Sequence, residues 1–217
     1  VGLGSGDTRP QINFTTVVGA DMDVDAADIA MYNFRFTGGF DALTGPIDIN
    51  AANFKMIDCL TKDVTGQATD FIVTDANADG LYIAEWRHEG AAGAGADTAI
   101  TIVGGDNITV IPDFIDGNFA VAAIENVTTA AVNLQIFGRA DYPAYIRTRN
   151  AADVIVTCVA TTTGRQGPFI NARLQDNAAN ITEAFVGAAM EFFQPINIVN
   201  LDGESSMQTN ITASTDA

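Results

Sequence analysis

Asp75-Ala-Asn77-Ala-Asp79-Gly80 is the stretch whose residue types and spacing most plainly suit chemistry. Calcium takes about six to eight hard oxygen ligands, and alternate acidic or amide side chains in a tight loop supply several of them. Asp75, Asn77 and Asp79 would each give one, the Leu81 carbonyl another, and Gly80 permits the bend. The twelfth position of a helix–loop–helix calcium loop is Trp86 here instead of Glu, and the flanks Phe71–Val73 and Leu81–Ile83 read as strands, so this is not an EF-hand. The same residues also read as a plain polar corner, in which Asp and Asn accept backbone hydrogen bonds.

A second acidic group, Asp21, Asp23, Asp25 and Asp28, stands near the N-terminus. On a strand the first three share a face, where like charges call for solvent, a cation or a partner subunit. Acid catalysis would need two carboxylates across a groove, or acids beside an Arg or Lys. Asp75, Asp79, Glu85, Arg87 and Asp113 are the candidates, and none of them makes a motif. The single histidine, His88, has no recognisable Ser or Cys partner and cannot alone define a histidine metal site. No catalytic residue is assigned, and calcium is the one cofactor the sequence admits.

The 217 residues carry 10 basic and 27 acidic side chains, a formal charge of −17. Such a surface repels phosphate backbones and anionic headgroups, so neither nucleic acid nor membrane is an expected partner. No apolar run is long enough for a transmembrane helix, and no signal peptide is read at the start of the sequence. Five of the 10 basic residues, Arg139, Arg147, Arg149, Arg165 and Arg173, fall late in the chain, while Asp and Glu dominate the first half. That asymmetry suggests head-to-side pairing between copies.

The elements that position these groups follow from apolar periodicity. Residues 1–20 read as a Gly-rich arm (Gly2, Gly4, Gly6) and a first strand, Gln11–Val18. Over 21–202, one β-branched marker per apolar run gives Val24, Ile47, Ile72, Ile100, Ile124, Ile146, Ile170 and Ile196, at gaps of 22 to 28 residues. A second marker follows 8 or 9 residues later in five units, at Met56, Leu81, Ile108, Val132 and Val154. Turn formers lie between the markers, at Asn50–Asn53, Asp75–Gly80, Gly104–Asn107 and Asn150–Asp153, and looser stretches such as Thr161–Pro168 close the units. Strand, polar turn, strand and loop describe one coil of a parallel β-solenoid.

The predicted architecture is therefore all-β: a single-stranded parallel β-helix of about seven coils over 21–202, followed by a tail at 203–217. Asp79-Gly80 between apolar strands is also a hairpin signal, which keeps a β-sandwich or jelly roll as the alternative. Asn180–Phe193 reads as a short helix, with Asn180 and Glu183 as a capping box, an apolar face at Ile181, Phe185, Ala188, Ala189 and Phe192, and Pro195 after it. Cys59 and Cys158 each lie 12 residues after a marker, Ile47 and Ile146. The ladder places them in one column four coils apart, roughly 19 Å at the strand spacing, beyond disulfide reach. Both are expected to be free and buried.

Period and pattern resemble the right-handed parallel β-helix of pectate lyase-like enzymes and phage tailspikes. A short chain with one Trp and no long insertions resembles a phage capsid-decorating or spike-base protein more than a lyase. The resemblance implies a non-enzymatic structural virion protein, homotrimeric, located on the virion surface and bound to the major capsid protein or another virion protein. A secreted extracellular filament or surface-layer subunit is the alternative, and a carbohydrate-binding or carbohydrate-cleaving β-helix protein is a second.

Overall fold

The computed structural model describes residues 2–4, 8–64, 68–90, 97–142, 144–149, 154–167, 173–175, 185–186 and 189–192. After β1 (Gln11–Phe14), the first rung is β2 (Met22–Val24), β3 (Ala30–Tyr32) and β4 (Arg35–Gly38). The second is β5 (Ile47–Ile49), β6 (Lys55–Ile57) and β7 (Leu60–Asp63). In the third, β8 (Asp70–Thr74) leads into one long strand, β9 (Tyr82–Glu89); in the fourth, β10 (Thr98–Ile102) leads into β11 (Thr109–Gly117). The fifth is β12 (Ala122–Asn126), β13 (Leu134–Ile136) and β14 (Tyr145–Thr148), and the sixth β15 (Val154–Cys158), β16 (Gly164–Gln166) and β17 (Arg173–Gln175). The last described strands are β18 (Phe185–Val186) and β19 (Met190–Phe192).

Every strand pair is parallel and joins neighbouring rungs, so the chain is a parallel β-solenoid. It has three faces. Face I is β2, β5, β8, β10, β12, β15 and β18; face II is β3, β6, the first halves of β9 and β11, β13, β16 and β19; face III is β1, β4, β7, the second halves of β9 and β11, β14 and β17. Faces II and III form one sheet because β9 and β11 run unbroken round their shared corner. Each bends there, β9 at Glu85, whose φ is 53°, and β11 at Pro112, where the register shifts. The stack amounts to about five turns, fewer than the seven coils read from the sequence.

The hairpin alternative fails on register. Ile72 pairs with Ile47 and Ile100, and Ile83 with Met56 and Val110. The two runs flanking Gly80 therefore pair with the rungs below and above, not with each other. Ile47, Ile72, Ile100 and Ile124 form one fully buried column, as the ladder predicts. Burying each such side chain contributes about 1.5–3 kcal/mol.

The ladder fails at its ends. Its first member is Met22, in register with Ile47, instead of Val24. After Ile124 it slips by a face: the column continues at Val156, 32 residues on, while Ile146 lies on face III between Ile115 and Leu174. The same slip puts Val154 on face I, and a strand, β16, inside the stretch read as a loose loop. A fixed period cannot register one longer coil. Of the second markers, Val132 is exposed and Leu134 takes the buried place. Ile170 and Ile196 lie outside the described residues, as do Asn150–Asp153 and the tail.

The C-terminal helix is also corrected. Phe185–Val186 and Met190–Phe192 are strands, in register with Val156–Thr157 and Gly164–Gln166; the rest of 180–193 lies outside the described residues except Ala189, which sits in a turn. An open sheet edge offers backbone partners that an isolated helical turn lacks, and this overrides the apolar spacing. The cysteines are free and buried, as expected, but not in one column. Cys59 lies between β6 and β7 at the corner of faces II and III, whereas Cys158 is on face I beside Asn126.

Candidate functional site: the corners and the two charged faces

The Asp75–Gly80 loop is the corner between faces I and II. Asp28, Asn53, Gly80 and Asn107 follow one another up this corner, with φ of 63°, 61°, 69° and 58°. Each donates its N–H to the next rung: Asp28 to Ala52 at 3.1 Å, Asn53 to Asp79 at 2.7 Å, Gly80 to Asp106 at 2.7 Å and Asn107 to Val132 at 2.8 Å. Asn and Asp tolerate this left-handed conformation better than other side-chain-bearing residues. Gly80 therefore does the work that Asn53 and Asn107 do in the adjacent coils. Three of the four turns read from the sequence end on this ladder.

The candidate calcium ligands have protein partners. Asp75 accepts from the Asn77 backbone N–H at 2.6 Å and the Asn77 amide at 2.8 Å. Asp79 Oδ1 accepts the Asp106 N–H at 2.7 Å, and the Leu81 carbonyl accepts the Thr109 N–H at 2.8 Å. Among the described residues no group of three His, Cys, Asp or Glu side chains is placed to hold a metal. We expect the melting temperature to be equal in EGTA and in excess calcium, since an ion would have to displace hydrogen bonds the fold already makes. We also expect Gly80→Asn to cost less than Gly80→Val, read from chemical unfolding: any side chain at 80 must push the Asn53 amide aside, but Asn accepts the left-handed φ, whereas Val adds about 1–3 kcal/mol of backbone strain.

At the corner of faces II and III, three of the acid–base candidates do come together. The bends at Glu85 and at Pro112 set the carboxylates of Glu85 and Asp113 against Arg139, at 3.2 and 3.7 Å, and Asp141 pairs with the same guanidinium at 2.8 Å. Burial pushes the Asp113 carboxyl up, and Arg139 pulls against it. Arg87 lies 5.0 Å over the Phe114 ring, which stacks on Tyr145 at 5.3 Å. Asp75 and Asp79 belong to the other corner. Sequence spacing could not pair Glu85 with Arg139, because their contact crosses two rungs.

Outward from the core, face III carries two rows. One is Arg35, Leu60, Arg87, Phe114 and Tyr145; the other is Thr37, Lys62, Glu89, Asp116 and Arg147. Lys62 pairs with Glu89 at 2.6 Å. Asp116 receives two forks: Arg149 at 2.7 and 2.6 Å, and Arg147 through Nε at 2.7 Å and through Nη2. Burial alone would raise the Asp116 carboxyl, but the bonds from Arg149 and Arg147 outweigh it and hold it below the usual range.

Face I is the opposite. Its outward row is Asp23, Asp48, Val73, Thr101 and Glu125. Asp48 is pushed up by burial and then by Asp23, with Asp21 and Asp75 adding and Asn50 opposing. Glu125 is pushed up by burial, then by Asp70 and Asp97. Among the described residues these carboxylates make no ion pair. The N-terminal acidic group sits on the first rung, whose outer edge pairs with no strand among the described residues on face I; charge there discourages unwanted edge pairing. The charge differs between faces as well as along the axis, because Arg139, Arg147 and Arg149 lie at the fifth rung and Arg165 and Arg173 in the sixth.

His88 points inward. Its Nδ1 is 2.9 Å from the Thr61 hydroxyl, which also accepts the Trp86 indole N–H at 2.9 Å. Phe71, Phe119 and Trp86 surround the ring at 5.4, 5.8 and 6.0 Å. A Cβ on Gly90 would sit 3.4 Å from Nε2 and 2.9 Å from the Gly117 backbone, so the corner closes over the ring only with glycine there. Among the described residues Nε2 has no hydrogen-bond partner, and burial pushes the imidazole down to about 3 against the pull of Asp116. No motif pointed to Thr61, which meets His88 only through rung register.

The fold and these faces define the chain as a parallel β-solenoid with charge-segregated sides. Comparison with family models, characterised proteins and solved structures returns no match.

Proposed function

We propose that the protein is a non-enzymatic structural subunit of a virion surface, a phage capsid decoration or spike-base protein that binds the shell and braces it. The observation that carries this reading is how the ionisable groups on the faces are used. Glu85 and Asp113 share one guanidinium nitrogen of Arg139, and two arginines clamp Asp116. A hydrolase keeps such acids free for substrate; here they fasten one coil to the next. His88 is sealed in the core, out of reach of any substrate. A surface with only Lys55 and Lys62 as lysines, and rich in Ala, Thr, Asn and Gly, fits an exposed exterior shell.

The test is co-sedimentation of the purified protein with particles of a phage that encodes it. Saturable, stoichiometric binding is the expected result, and a capsid, portal or terminase gene beside the coding sequence should accompany it. Cleavage of any polysaccharide in a broad panel, lost in E85Q or D113N, would overturn the reading in favour of a carbohydrate-active solenoid.

A further inference from the structure

We propose that copies of this chain associate side by side, unstaggered and with parallel axes, the acidic face I of one copy docking on the basic face III of the next. The proposal names the partner surface within the structural-subunit reading and rests on it.

The argument is one of matched periodicity and charge. Both faces belong to the same coils, so their rungs repeat at the same spacing, about 4.8 Å. Side chains on neighbouring copies can therefore stay in step over the length of the solenoid. Rung by rung, the outward groups are complementary. The first rung carries Asp23 on face I and Arg35 on face III; the second carries Asp48 and Lys62; the fifth carries Glu125 against Arg147 and Arg149. In the two rungs between, face I carries the uncharged Val73 and the buried Thr101, on the same rungs as the Arg87–Glu89 and Phe114–Asp116 pairs.

Face I lacks cations, whereas on face III the cations Arg35, Lys62, Arg87, Arg147 and Arg149 outnumber the carboxylates Glu89 and Asp116. The face I carboxylates crowd one another with no cation among the described residues. On face III, two guanidiniums converge on one carboxylate, so the Arg147–Asp116–Arg149 group keeps a net positive charge. Each guanidinium has five N–H donors, and Asp116 takes two from each. Both arginine side chains are about a third exposed, at 34% and 31%. They are held in place before any partner arrives, which lowers the ordering cost of binding. A free polyanion would meet the same arginines, but it would also meet the field of a chain of charge −17. A second copy offers its carboxylates already spaced to the rungs.

Face I against face III is a heterologous contact. With parallel axes and no stagger, it generates a closed ring instead of a filament.

The test measures mass by light scattering on the full chain at low and high ionic strength. Wild type should show one discrete multiple of the chain mass at low salt, falling toward a single copy as salt screens the rows. D48K/E125K reverses face I and removes mutual repulsion there, so it should keep its melting temperature and run as a single copy. K62E/R149E reverses face III while leaving Arg147 on Asp116, and it too should run alone. An equimolar mixture of the two variants should recover association, because each reversed face then meets its complement. A single-copy mass for wild type at low salt overturns the pairing. So does association unchanged in both variants, or a mixture that stays dissociated. These results leave shell binding, measured separately by co-sedimentation, to stand or fall by itself.

Discussion

Lowering the pH from 6.5 should destabilise the protein through His88, and replacing that one residue should remove the effect. The ordinary imidazole value is 6.5, and the buried ring is held down to about 3. Between those limits the unfolded chain takes up a proton that the folded chain refuses. The contribution of His88 is therefore whole above 6.5 and is lost as pH falls toward 3, by up to about 1.4 kcal/mol per pH unit. The carboxyls of Asp48, Asp97, Asp113 and Glu125 are raised, so they act with the opposite sign and favour folding as the solution acidifies. Asp116 is lowered and acts with the same sign as His88, but only below its ordinary value of 3.8.

A difference measurement separates these groups. Urea unfolding of wild type and His88→Leu should diverge by about 2–3 kcal/mol between pH 6.5 and 4.5, with wild type losing more. At neutral pH the variant should lose about 1 kcal/mol with the Thr61 bond, because Thr61 keeps the indole donor. Parallel pH profiles for the two proteins would show that the imidazole is solvated in the folded state.

Asp116→Ala should be the most damaging single change on face III. The Asp116 side chain is 9% exposed and ties the fourth rung to the fifth through both Arg147 and Arg149. Removing it leaves two guanidiniums side by side with no counter-charge. The cost should be about 3 kcal/mol, the low end for a broken buried ion pair, since both arginines are partly solvated. Glu89→Ala is the internal control. It breaks the Lys62 pair, whose partners are each 34% exposed, and should cost less than about 1 kcal/mol. Equal losses in the two variants, by chemical unfolding, would mean that the Arg–Asp–Arg group is no more than a surface bridge.

The solenoid itself was legible because its core repeats. Ile47, Ile72, Ile100 and Ile124 are β-branched, evenly spaced and separated by turn formers, a pattern that survives without any knowledge of contacts. The corner ladder was legible in the same way, since Asn53, Gly80 and Asn107 are residues that accept a positive φ. The ladder failed beyond Ile124, where coil length changed. Nothing local in the sequence announces that a loop has grown, and one longer coil shifts every later marker by a face. Asn180–Phe193 failed for a related reason: its helical spacing is real, but Phe185–Val186 and Met190–Phe192 complete pairing begun by strands far back in the chain.

The sequence by itself determined that the chain is all-β, repetitive and strongly acidic, because each depends on composition or on short-range period, while the parallel pairing was decided only by register across rungs. Only the tertiary structure decided where the charge lies. Asp48 and Lys62 are 14 residues apart and stand on different faces, while Asp116 and Arg147 are 31 apart and in contact. In a solenoid, residues one coil apart are neighbours and residues half a coil apart face opposite ways. The Asp75–Gly80 loop owes its form to that rule: its glycine sits where the stacked Asn53 and Asn107 require a left-handed corner, and its acids are held by the backbone of that corner.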